Sequence, residues 1–143
     1  MKTQMRNIKT PKQFLFFFVK PIFPVVRSLF VGMDFIKAPK GRQDFPLGFL
    51  KDSISLEEFE NRLKDLEFFY EKMAFVDPDE ILGMRKLDKN NLGFQYHIRI
   101  YKDNEVRGHY EKTPEDSPVD HFNEVGFESR HEDFISMVGE FLK

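Results

Sequence analysis

The charge along this chain divides at residue 42, and the division limits what a single compact fold can absorb. Residues 1–42 carry nine Lys and Arg (Lys2, Arg6, Lys9, Lys12, Lys20, Arg27, Lys37, Lys40, Arg42) against one acid, Asp34, a net of +8. The whole chain is −2, so residues 43–143 hold −10. The basic part also contains the run Phe14-Leu15-Phe16-Phe17-Phe18-Val19. Such asymmetry points to an anionic surface as partner for the basic half, with mutual attraction of the two halves as the plain alternative. We read residues 1–42 as a basic, hydrophobic arm and residues 43–143 as an acidic α+β domain.

The length of 143 residues is that of one domain, large enough to bury a core without staples. There is no Cys, which excludes disulfides, zinc-thiolate sites and thiol nucleophiles and fits a reducing, cytoplasmic setting. Phe is the outlier, with 18 residues against four Tyr and no Trp, so aromatic side chains must fill the core or face a partner or lipid.

The arm fails as a signal peptide, because its apolar run ends at Lys20 after six residues and no small-residue cleavage site follows. It fails as a membrane span, because Phe14–Ile36 contains Lys20, Pro21, Pro24, Arg27 and Asp34, and each buried charge costs about 2.5–3.5 kcal/mol. Two short helices remain. One starts at Thr10-Pro11 and runs to about Lys20; the other starts at Pro24 and runs to about Phe35. Helix this apolar, with Phe14, Phe16, Phe17, Phe18, Phe23 and Phe30 set among Lys20 and Arg27, suits a membrane interface, a partner protein or the chain's own core. Six consecutive apolar residues fit nucleic acid poorly.

In the acidic part, residues 37–55 read as a Pro- and Gly-rich connector whose Phe45, Leu47, Phe49 and Leu50 lie against the core. Ser55-Leu56-Glu57-Glu58 is a capping box, with Ile54 and Phe59 as its staple. Leu56, Phe59, Leu63, Leu66, Tyr70 and Met73 then step by 3 and 4, which predicts an amphipathic helix of about 18 residues ending at Asp77-Pro78. Ile81–Leu87 is a candidate strand, Asp88–Gly93 a turn, and Phe94–Tyr101 an alternating strand. Val106–Lys112 returns against it through a two-residue Asp103-Asn104 turn. With that turn, paired residue numbers sum to about 207. Phe94, Tyr96, Ile98 and Ile100 then share a core face with Arg107, His109 and Glu111, while His97, Arg99, Tyr101, Val106 and Tyr110 form a half-exposed face. Ser117-Pro118 opens a short helix stopped by Gly126, and Ser129-Arg130-His131-Glu132 caps a last helix that buries Phe134, Ile135, Val138, Phe141 and Leu142. The expected fold is a two-layer α+β domain: an amphipathic helix, a three-stranded antiparallel sheet and two C-terminal helices, preceded by the helical arm.

The chemistry is sparse. On this register His97 and His109 face opposite ways, and His121 and His131 are separated by a glycine stop, so no metal site is expected and no cofactor is implied. His109 with Glu111 resembles an acid/base pair in spacing, but cross-strand polar pairs account for both more simply. The acidic clusters sit at helix ends and loops, and no phosphate loop, calcium loop or nucleophile elbow is present. The segment Val106–Glu115 is dense in functional side chains around a strand glycine, Gly108, a residue that marks a bulge or a close approach. If the domain has an interaction site, the candidates are Arg99, Tyr101, Arg107, His109, Tyr110 and Glu111.

The reading is therefore a non-enzymatic adaptor or assembly subunit. Its arm docks to an anionic membrane surface or a larger complex, and a protein partner meets its folded part. The alternatives are a compact binding domain with the arm in its core, and a small enzyme using the Arg107/His109/Glu111 strand face.

Overall fold

A computed structural model describes residues 44–70 and 79–143, together with Ile22, Val25, Leu29, Gly32 and Met33 of the arm. The rest of the two predicted arm helices, and the boundary at residue 42, lie outside the described residues.

The described elements are β1 (Phe45–Phe49), α1 (Leu56–Asp65), β2 (Glu80–Leu87), β3 (Phe94–Tyr101), β4 (Glu105–Lys112), α2 (Pro118–Phe122), α3 (His131–Val138) and a 3-10 turn, Gly139–Phe141. The class is α+β, as expected, but the antiparallel sheet has four strands in the order β1-β4-β3-β2. The additional strand comes from the segment read as a connector. Pro46 and Gly48 disguise it, since both are tolerated at a sheet edge and at a bulge, and β1 is an edge strand with a register shift between those two residues. Leu47, the residue at the shift, turns inward to the core.

The chain divides into two compact units. Residues 87–95 and 111–127 belong to one, which holds the Asp88–Gly93 turn and α2. Residues 43–86, 96–110 and 128–143 form the other. The apolar core of this second unit joins Phe59 and Leu63 of α1 and Phe134 and Val138 of α3 to Leu47, Met84, Ile98, Ile100 and Val106 of the sheet.

Ser55 caps α1 as its sequence requires, accepting a 3.1 Å hydrogen bond from the Glu58 N–H. The helix is ten residues long rather than about 18. It stops because Glu67 takes a left-handed conformation, φ 70°. The Phe68 N–H then reaches Leu63 O and the Glu67 N–H reaches Lys64 O, both at 2.9 Å, which closes a Schellman motif. This reversal buries Phe68 and Phe69 and lets Phe69 pair with Arg85 of β2. The 3-4 rhythm beyond Leu66 therefore belongs to a turn and a bridge, while Met73 lies outside the described residues.

The hairpin between β3 and β4 has a three-residue loop, Lys102–Asn104, with Asn104 left-handed at φ 67°. The Asn104 N–H donates to Tyr101 O, and Asp103 accepts from the Glu105 N–H. Tyr96 meets Tyr110, His97 meets His109 and Gln95 meets Glu111, so opposed residue numbers sum to 206 rather than 207. A slip of one residue turns every side chain of β4 over. Val106 and Tyr110 join the core side, and His109 joins His97 on the other.

Gly108 marks a close approach. A Cβ there would lie 2.9 Å from two ring carbons of Phe134 and 3.1 Å from Leu47. The ring of Phe134 lies against bare backbone and meets Tyr96 edge-on at 5.5 Å. At the start of α3 the expected Ser129 cap is displaced: paired hydrogen bonds of 2.8 Å tie Glu128 to Tyr110, and Arg130, left-handed at φ 43°, stands at the cap position instead. Helix α2 ends before Gly126, through Glu124 at φ 58°, with the Val125 N–H on Asp120 O and the Glu124 N–H on His121 O.

Candidate functional site

The face of the sheet opposite the apolar core carries a buried polar cluster. In β3, strand alternation sets His97, Arg99 and Tyr101 on one side. In β4 it sets Arg107 and His109 there, and Asp44 enters from the residue preceding β1. Asp44 is the hub, with its side chain wholly buried. One carboxylate oxygen accepts from Arg99 Nη1 at 2.9 Å and from the Tyr101 hydroxyl at 3.2 Å. The other is hydrogen-bonded to His109 Nδ1. Arg99 also pairs with Glu80, Nε to Oε2 at 3.5 Å. Two of these contacts span 55 and 65 residues of sequence.

Burial alone pushes the Asp44 carboxyl up, but the hydrogen bond and charge of His109, then the charges of Arg99 and His97, outweigh it and hold the group well below the usual carboxylate range. An ionised carboxylate only accepts, so His109 Nδ1 carries the proton it donates. In a neutral ring the lone pair then sits on Nε2. The rings of His97 and His109 stand edge to face, with centroids 5.0 Å apart and planes at 67°. A ring nitrogen of each lies within 4.8 Å of the other. Gly83 of β2 leaves room for this side of the cluster: a Cβ there would fall 2.3 Å from a Glu80 carboxylate oxygen and 3.8 Å from His97 Nε2.

The other unit has a polar group of its own. Gln95 donates to Glu111 at 2.8 Å. His121 Nδ1 donates to Lys112 O at 2.7 Å and lies 3.4 Å from Glu111. Lys112 pairs with Asp120 at 2.7 Å. These bonds fasten α2 to the end of β4 and give the buried Glu111 carboxylate a hydrogen bond from Gln95.

Of the six residues singled out in the sequence, Arg99, Tyr101, His109, Tyr110 and Glu111 are buried and Arg107 is half-buried. The face read as half-exposed is thus a closed one. Tyr110 stands apart from the others, on the core side against Tyr96, with the Arg130 guanidinium 4.7 Å over its ring. Arg107 pairs with Glu105 and lies 4.6 Å over the Tyr101 ring. Sequence reasoning missed Asp44 and Glu80. Asp44 offered no local signal, because its partners are brought to it only by the pairing of β1 with β4.

Exposed apolar side chains appear in the arm. Ile22, Val25, Leu29 and Met33 are 56–71 % exposed. Val25, Leu29 and Gly32 are helical, and the Met33 N–H donates to Leu29 O at 3.0 Å. Ile22 lies in a 3-10 turn and Met33 in a turn, and the sequence steps of 3, 4 and 4 among the four match a helical repeat. Among the described residues, no helix is long and apolar enough to cross a membrane.

No protein-family model, no curated protein and no solved structure matches the chain.

Proposed function

We propose that the protein is a non-enzymatic adaptor or assembly subunit that docks to an anionic membrane surface through its basic, Phe-rich N-terminal arm. The observation that carries this reading is the stripe Ile22, Val25, Leu29 and Met33, each more than half exposed. An exposed apolar stripe within a segment of net charge +8 has the two components of interfacial binding, apolar insertion and attraction to anionic headgroups. Burial of His109 and Glu111 weighs against an enzyme built on Arg107, His109 and Glu111.

Flotation with vesicles of phosphatidylcholine and phosphatidylserine tests it on the full chain. The chain is expected to float with vesicles containing phosphatidylserine and to stay down with pure phosphatidylcholine. The Val25→Glu/Leu29→Glu variant is expected to lose flotation, and Arg27→Glu to weaken it at least fivefold, following about 1 kcal/mol per basic residue at the surface. Flotation of the Val25→Glu/Leu29→Glu variant equal to the parent, or no flotation of the parent, overturns the membrane reading. In the second case a protein groove becomes the docking surface to seek.

A further inference from the structure

We propose that His97 and His109 form a binding site for a divalent transition metal, zinc foremost, with Asp44 as the positioning residue for His109. On the register expected from sequence these two side chains lie on opposite faces. The three-residue loop Lys102–Asn104 brings them together instead, with a ring nitrogen of each within 4.8 Å of the other.

Three features make this pair more than two packed rings. First, imidazole is a ligand for zinc, copper and nickel, and a neutral ring with its proton on Nδ1 offers Nε2 to the ion. Second, a carboxylate on the far nitrogen of a ligating histidine fixes its tautomer and raises its basicity, and Asp44 occupies that position on His109. Third, Asp44 is itself held. Arg99 and Tyr101 take its second oxygen, so the carboxylate stays aimed at His109. All five residues belong to one compact unit of the chain.

Zinc–nitrogen bonds of about 2.0–2.1 Å in a tetrahedral site set two ligating nitrogens about 3.4 Å apart. With His109 held by Asp44, rotation of the His97 ring about χ2, a soft torsion, is the movement the site requires to reach that separation. Water or oxygen donors complete the coordination. Because His97 and His109 are 4 % and 0 % exposed, the ion enters as the chain folds, and its binding free energy adds to folding.

The test uses the untagged full chain stripped with EDTA, unfolded in urea and refolded in the presence of zinc or cobalt(II). Zinc at a hundredfold excess over its Kd is expected to raise Tm by about 9 °C, and cobalt(II) to give a visible absorption band at one ion per chain. His97→Gln and His109→Gln are each expected to abolish both signals, while His131→Gln, whose ring is exposed, leaves them intact. Asp44→Asn is expected to weaken zinc about 10–100-fold, and an unchanged Kd would remove Asp44 from the site. Should the glutamine variants fail to fold, X-ray absorption of the zinc-loaded parent decides: two imidazole ligands support the site, and one or none overturns it. Absence of both signals in the parent, or their survival in His97→Gln/His109→Gln, reduces the pair to two histidines packed edge to face.

Discussion

The two faces of the β3–β4 hairpin are both closed to water, and they are closed by different physics. On one face Tyr96, Ile98, Ile100, Val106 and Tyr110 meet α1 and α3, with Phe134 set on Gly108. On the other, His97, Arg99, Tyr101 and His109 gather around Asp44. Apolar burial is non-directional and scales with area, so loss of one methyl costs little. A buried charge network is directional, and removing one member leaves the others desolvated and uncompensated. The polar face should therefore be the brittle one.

Substitutions can break this contrast. Asp44→Ala removes the carboxylate shared by Arg99, Tyr101 and His109 and should cost about 3–5 kcal/mol in urea unfolding. A loss below about 1 kcal/mol would show that water reaches the cluster in its absence. Gly108→Ala drives a methyl into the Phe134 ring, so about 1–3 kcal/mol should be lost, seen as a lower midpoint at unchanged m-value. On the apolar face proper, Ile100→Val should lose only about 0.5–1.5 kcal/mol. A cost equal to that of Asp44→Ala would erase the distinction between the faces. Smallest, and opposite in sign, Glu124→Gly relieves a left-handed residue outside both faces and should stabilise by about 0.5–1 kcal/mol, a Tm rise of a few degrees.

The β3 side of the apolar face was legible in the sequence, because it rests on local periodicity, whereas Val106 and Tyr110 of β4 were read onto the other face. Alternation in Phe94–Tyr101, the Ser55 cap and the spacing of Phe134 and Val138 all concern residues within a few positions of each other. The polar face was not legible, and one residue accounts for much of that. Asp103-Asn104 reads as a complete two-residue turn, but Lys102 belongs to the loop and Asn104 alone takes the left-handed conformation. That slip sent His109 to the wrong side. The hub of the cluster was hidden for another reason: nothing local to Asp44 predicts partners 55 and 65 positions away. Strand β1 was hidden by Pro46 and Gly48, whose composition is that of a loop and whose tolerance is that of an edge.

Both margins of the sheet end in borrowed backbone. Beyond β1, Phe49 exchanges hydrogen bonds of 2.8 and 3.0 Å with Lys143; beyond β2, Arg85 exchanges bonds of 2.8 and 2.9 Å with Phe69. An uncovered margin of a sheet is a template on which further chains stack. Two short patches, one residue deep on each side, cover part of each margin. Release of Lys143 from Phe49 would leave the backbone of an aromatic edge strand open to another copy of itself.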